Sequence, residues 1–276
     1  MESTGLRVAL RVWVALVLAF LFLPILLIVL YAFDKATVES WPIHSLTFHW
    51  FSVAWHDQAV REAFLLSVRV GLLATGIAIL LGGAVAYALY KFTFFGRDAI
   101  SFLLVLPIAL PGIVTGLALN SFFAFTSIQL SLWTIVVGHG TFCIVMVFNN
   151  LIARLRRTPG SLAEASMDLG ARGWQTQLYV NLPSVITALI SGALLAFALS
   201  FDEVVVTVFT SGAQNTLPIW IFGQLRLGQQ LPEVNAVVTV VIVLTIIPVL
   251  LAARIAGAGS VTRTARTAAV TDTGRI

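Results

Sequence analysis

The stretch EASMDLGARGWQTQLYVNLP runs from Glu164 to Pro183 in a chain that is otherwise mostly apolar. Its local chemistry can be read residue by residue. Ser161-Leu-Ala-Glu164 has the spacing of a capping box, with Ser161 at the N-cap and Glu164 reaching back three residues later. Pro159 keeps the helix from starting earlier. Gly170 is placed to end it in a left-handed turn. A helix of about two turns over Leu162–Leu169 is expected, with Ala163, Ala165 and Ser166 small enough for close approach. A second short helix is expected over Trp174–Asn181, after which Pro183 opens a long apolar run. An isolated two-turn helix is unstable in water. It must pack on something, and the adjacent loops are too short to supply it. A partner protein is the economical answer.

The surroundings say which solvent this segment borders. Of the 276 residues, 59% are hydrophobic and 10% charged, with a mean hydropathy of +0.99. Soluble domains are usually about 25% charged. Lipid is therefore the solvent for most of the chain. Six runs are long enough to cross a bilayer as helices: Val12–Phe33, Leu65–Tyr90, Ile100–Phe125, Leu132–Ala153, Ser184–Phe209 and Asn235–Ile255. The first is about twice the length of a signal-peptide core and no small-residue cleavage site follows, so it reads as a retained span.

Basic residues orient the spans. With the N-terminus inside, Arg7, Arg11, Lys91, Arg97, Arg154, Arg156, Arg157, Arg172, Arg254, Arg263, Arg266 and Arg275 all lie inside, 12 of the 16 Lys and Arg residues. Lys35, Arg61 and Arg226 lie outside, and Arg69 snorkels outward. Both termini are then cytoplasmic. The net charge of +4 records membrane orientation and not a nucleic-acid surface. One transmembrane domain is expected over 1–256, with the quoted loop at 158–183. Residues 257–276, rich in Thr, Ala, Gly and Arg, form a tail expected to lack structure.

The remaining candidates have plainer readings. In the outer segment Ser45–Phe64, Trp50, Phe51, Trp55 and Phe64 stand among polar residues, which suits a helix lying in the membrane interface. His44, His49 and His56 have no metal-ligand spacing and read as exposed loop residues. The short connection Thr126–Ser131 makes spans three and four a hairpin. Cys143 is alone and reads as a packed side chain, and His139 as a hydrogen-bonded interior residue. No Walker-type glycine loop occurs, so ATP is not hydrolysed by this chain. A secondary transporter would want intramembrane ion sites or inverted repeats, and neither stands out. A membrane enzyme would want carboxylates, His or Cys gathered at one membrane face.

Glu164-Ala165-Ser166, then Gly170, then Leu182-Pro183 resembles the EAA loop of type I ABC importer permeases, and it stands in that family's topological slot between spans four and five. LPIALPGIVTGLAL (Leu106–Leu119) is similar too. The likeness covers about Val12 to Ile255. It implies an all-α integral membrane protein with six transmembrane helices, the type I ABC importer permease fold and a cytoplasmic coupling helix. Glu164, Ala165, Ser166, Asp168 and Gly170 would then form the contact with a cytoplasmic ABC ATPase dimer. The other implied partners are a second homologous permease, an extracytoplasmic solute-binding protein and membrane lipid, with no nucleic acid. This chain would bind no cofactor; ATP and Mg would be used by the ATPase.

SFDEVVVTVF (Ser200–Phe209), TLPIWIF (Thr216–Phe222) and LPEVNA (Leu231–Ala236) resemble the spermidine/putrescine permeases, and the C-type permease more closely. Relatives for iron, thiamine and other solutes share parts of these words. Asp202 and Glu203 lie 19 and 20 residues past Pro183, about 30 Å along a helix and so in the outer half of the membrane. Carboxylates at that depth face a cavity or a partner, and a cationic solute would suit them. Ser200-Phe-Asp-Glu203 is also a capping box, which would make the acids the start of a new helix; Arg69 or Arg226 could instead pair with them. Pro111 and Gly112, with Pro107 and Gly116, could bend span three and open a path, or could serve plain helix packing.

Overall fold

The computed structural model describes residues 4–228 and 230–246, and these are helical apart from turns, loops and one isolated bridge between Asp34 and Leu46. The tail at 257–276, the end of the sixth expected span and the arginines beyond it lie outside the described residues. The chain divides into two compact units, 1–57 with 224–276 and 58–223.

The first unit begins with α1 (Thr4–Tyr31), a 28-residue apolar helix. Among the described residues none of its apolar window is buried. The outer segment after it is tied down by backbone bonds from Lys35 N–H to the Ser45 carbonyl (3.1 Å) and from Thr47 N–H to the Phe33 carbonyl (2.7 Å). The helix α2 (His49–His56) carries Trp50, whose indole N–H donates to the Asp34 carbonyl at 2.9 Å. Phe33, Phe48 and Phe51 stack as a cluster. The interfacial helix is thus shorter than the sequence led one to expect: Asp57 interrupts it, and Phe64 belongs to the next span. Among the described residues no group of three or more His, Cys, Asp or Glu could hold a metal.

The second unit is built on α3 (Gln58–Lys91), α6 (Leu132–Leu155) and α9 (Leu182–Phe201). Their contact surfaces are lined by small residues. A Cβ on Gly82 of α3 would sit 2.7 Å from the Ile144 carbonyl oxygen of α6, and one on Gly192 of α9 would sit 3.1 Å from the Val147 Cα. In lipid no hydrophobic effect drives helix against helix, so close backbone approach and dispersion must do so. Ala74, Ala78, Phe142, Val147 and Ala196 fill the middle of the stack. Cys143 is there too, its thiol 3.3 Å from the Ala196 carbonyl, a packed side chain as expected. Ala86, Leu89, Phe148, Leu151 and Val185 fill one end.

Span three is not one helix. It is α4 (Arg97–Ala109) and α5 (Gly112–Phe125), bent by 103° at Leu110-Pro111. Pro111 lacks an N–H and keeps Leu110 extended, so the helix must stop and restart. The expected simple hairpin of spans three and four is therefore replaced: α4 packs on α6, whereas α5 packs chiefly on α10 (Val205–Thr210). Among the described residues four helices are long and apolar enough to cross a membrane unbroken: α1, α3, α6 and the helix running from Gly173 to Phe201. The sixth expected span begins within an apolar helix at Leu231–Ile246.

Candidate functional site

Two polar neighbourhoods interrupt the apolar bundle. The first is the loop quoted above. Its helix α7 (Ser161–Asp168) starts one residue earlier than Leu162, and Gly160 stands at the N-cap. The expected capping box is not formed. Ser161 occupies the first helical position, where its hydroxyl cannot turn back to the third backbone N–H, and the Gly160 carbonyl instead accepts from Ala163 (3.0 Å) and Glu164 (3.2 Å).

The C-terminal end behaves as the sequence requires. Gly170 has φ +89°, its N–H donates to the Met167 carbonyl at 2.9 Å, and the Ala171 N–H donates to the Ser166 carbonyl at 3.1 Å. This pair of bonds is a Schellman turn. Glu164, Ala165, Asp168 and Gly170 are exposed; Ser166 is half-buried, its hydroxyl 3.1 Å from that of Thr176. Leu162, Met167 and Leu169 are also exposed, so α7 offers apolar as well as acidic surface.

The second short helix is not separate. Helix α8 (Gly173–Thr176) runs through a π turn at Gln177–Asn181 straight into α9. The Leu182 N–H reaches the Gln177 carbonyl, five residues back. This wider turn shifts the hydrogen-bond register just ahead of Pro183, which has no N–H to give. The loop is thus followed from Gly173 by a continuous helix of 29 residues that ends at Phe201.

The second neighbourhood is the break in span five. The span ends at Phe201 and not at Phe209, with Asp202 at the C-cap, and restarts as α10. Ser200 is not the capping partner of Glu203. Its hydroxyl faces His139 of α6, 2.7 Å from Nδ1, and the other ring nitrogen lies 2.9 Å from the Thr207 hydroxyl. Glu203 itself caps α10: its carboxylate accepts from the Val206 N–H at 3.0 Å. Asp202 is exposed, and neither acid forms an ion pair among the described residues.

Span three closes the other side of this break. Gly112 abuts Val205 and Val206, and a Cβ on Gly116 would sit 2.6 Å from a Phe209 ring carbon. Asn120 donates its side-chain N–H to the Phe209 carbonyl at 2.6 Å. The sequence reading missed Asn120, since its partner lies 89 positions away. Pro111 thus bends span three, and Gly112 lets its restarted half touch the restarted half of span five.

A family model described as binding-protein-dependent transport system inner membrane component matches residues 78–260. The chain is 34% identical over 237 residues to the spermidine/putrescine transport system permease protein PotC of Haemophilus influenzae, covering 85% of this chain and 91% of that one. It is 35% identical over 232 residues to the putrescine transport system permease protein PotI of Escherichia coli strain K12, covering 81% and 82%. Among solved structures, a bacterial ABC transporter involved in the import of the acidic polysaccharide alginate has the same fold, with a TM-score of 0.67, 17% identity and coverage of 91% of this chain and 98% of that chain. With the model matched from span two onward and relatives matched over most of their length, this chain belongs to the family of inner membrane components of binding-protein-dependent transport systems.

Proposed function

We propose that this chain is one of two permease subunits of an ATP-driven polyamine importer, and that it lines the solute path without hydrolysing ATP. One observation carries the reading: an exposed helix, α7, ended by a turn at Gly170 and followed from Gly173 by a helix continuous with span five, in a chain 34% identical to a spermidine/putrescine permease over 91% of that relative. A cytoplasmic ATPase dimer docks on Glu164, Ala165, Asp168 and the apolar side chains beside them, while Ser166 braces the helix against Thr176. ATP and its Mg belong to that dimer. Motion of the ATPases pulls α7, and the unbroken helix from Gly173 passes it to the break at Asp202. A solute-binding protein delivers the polyamine from outside, and a second permease completes the path.

A protein named "Putative 2-aminoethylphosphonate transport system permease protein PhnV" in Salmonella paratyphi A is 27% identical over 87% of this chain, so solute class needs its own argument. Asp202 and Glu203 supply it: a carboxylate left exposed at a break in an apolar span lowers the energy of a cation and raises that of a phosphonate. The test is uptake of labelled spermidine and putrescine by cells whose only importer is this complex, with excess unlabelled 2-aminoethylphosphonate as competitor. Saturable polyamine uptake that needs ATP and resists the competitor is expected. Uptake of the phosphonate and not of polyamines would overturn the solute assignment.

A further inference from the structure

One side chain from span four joins the two sides of the span-five break. His139 is 1% exposed on α6. It touches Ser200 in the last turn of α9 through Nδ1 (2.7 Å) and Thr207 in the first turn of α10 through Nε2 (2.9 Å). The Thr207 hydroxyl is also 2.7 Å from the Glu203 carbonyl oxygen. That contact sets the order of protons. A carbonyl only accepts, so the single hydroxyl proton of Thr207 points there. Nε2 must then donate to Thr207, which leaves Nδ1 to accept the proton of Ser200. The series Ser200 to His139 to Thr207 to the Glu203 carbonyl runs one way and is complete with the neutral ring.

What the series encloses is the short turn Asp202–Val204. Glu203 is held there by its carboxylate bond to the Val206 N–H. Asp202 has no side-chain partner among the described residues, so its place is set only by the backbone of the turn. That backbone is pinned on both sides by the same imidazole. Packing alone does not call for a histidine: Phe142 lies against its ring at 5.5 Å, and a phenyl group would fill the space without a polar atom to satisfy. We infer that His139 is a positioning residue, a clamp across the span-five break that sets where the Asp202 carboxylate stands in the path. The clamp stands on its own geometry; the role of Asp202 toward a cation rests on the function proposed above.

The test uses the assembled complex with both permeases, the ATPases and the binding protein. One readout is independent of the solute: the rate at which Asp202→Cys reacts with a small cationic thiosulfonate, with the buried Cys143 of the parent chain as background. His139→Phe should change that rate at least about fivefold, because the accessibility of a thiol governs its reaction. His139→Gln, whose amide can still donate to Thr207, should return it to within about twofold, and adding Thr207→Val to His139→Phe should change nothing more, since both break one network. The second readout is polyamine imported per ATP hydrolysed. It should fall about tenfold in His139→Phe while binding-protein-stimulated hydrolysis stays within about twofold.

An unchanged labelling rate in assembled His139→Phe complex would overturn the clamp. So would parallel loss of assembly, uptake and hydrolysis with no rescue by His139→Gln, which marks a residue needed only to fold. If His139→Phe does not assemble but His139→Gln does, Thr207→Val decides: altered labelling supports the clamp and unaltered labelling sinks it. A parent complex that imports no polyamine would defeat the proposed solute, while the labelling rates would still judge the clamp.

Discussion

Adjacent acids in one sequence word can do different work. Glu203 is engaged with the backbone N–H of Val206 and so with starting α10; the Asp202 carboxylate has no partner among the described residues. Losing a helix cap costs about 1 kcal/mol, so Glu203→Ala should lower the thermal stability of the purified complex modestly. Asp202→Asn keeps shape and removes charge. It should cut spermidine and putrescine uptake several-fold while assembly and basal ATP hydrolysis stay as in the parent. Paired uptake and melting measurements separate the two. If Asp202→Asn imports at the parent rate, or merely melts earlier, the acid is structural and the cation argument loses its physical half. The division of labour was half legible beforehand: Ser200 to Glu203 reads as a capping box, and only the fold shows that Glu203 caps α10 without Ser200.

Elements explain why small residues cluster where they do. The restarted half of span three meets the restarted half of span five at Gly116, where even a methyl group would collide with Phe209. Overpacking of this kind costs about 1–3 kcal/mol. Gly116→Val should therefore loosen α5 from α10 and reduce the yield of assembled complex, read by size-exclusion chromatography in detergent. A normal yield and melting point would show that the two halves separate freely. Helix α7 makes the opposite demand, for rigidity with an open face. Gly170 at φ +89° would strain any β-branched replacement by about 1–2 kcal/mol, and Ala165 is exposed where a partner must approach. Gly170→Val and Ala165→Trp should reach the membrane in normal amounts but lose transport, with the ATPase dissociated or hydrolysing ATP without import. Full uptake in both variants would refute docking on α7.

For the molecule as a whole, the proposed topology has both ends inside and makes a simple prediction. Single cysteines at Ser40 and Gln214, both exposed, should be labelled from outside intact cells, and cysteines at Ser161 and Thr264 should not. Labelling of Ser161 from outside would invert the assignment and detach α7 from any cytoplasmic ATPase.

Hydropathy and a few turn-forming residues determined a great deal: an all-helical chain with several helices long and apolar enough to cross a membrane, the short exposed helix and its left-handed end at Gly170. These are local quantities, since a bilayer selects for apolar length and a positive φ selects for glycine. Pro111 was legible as a bend, but its 103° angle was not. The tertiary structure decided what long-range pairing decides. It showed that Ser200 answers to His139, 61 positions away, instead of capping Glu203, and that Asn120 holds the Phe209 carbonyl. It also showed that Ser161 begins its helix without capping it and that a π turn carries α8 unbroken into span five. A hydroxyl next to a helix end has several possible partners of similar energy. Which one it takes depends on what the neighbouring span brings within about 3 Å, and no pattern along the chain contains that distance.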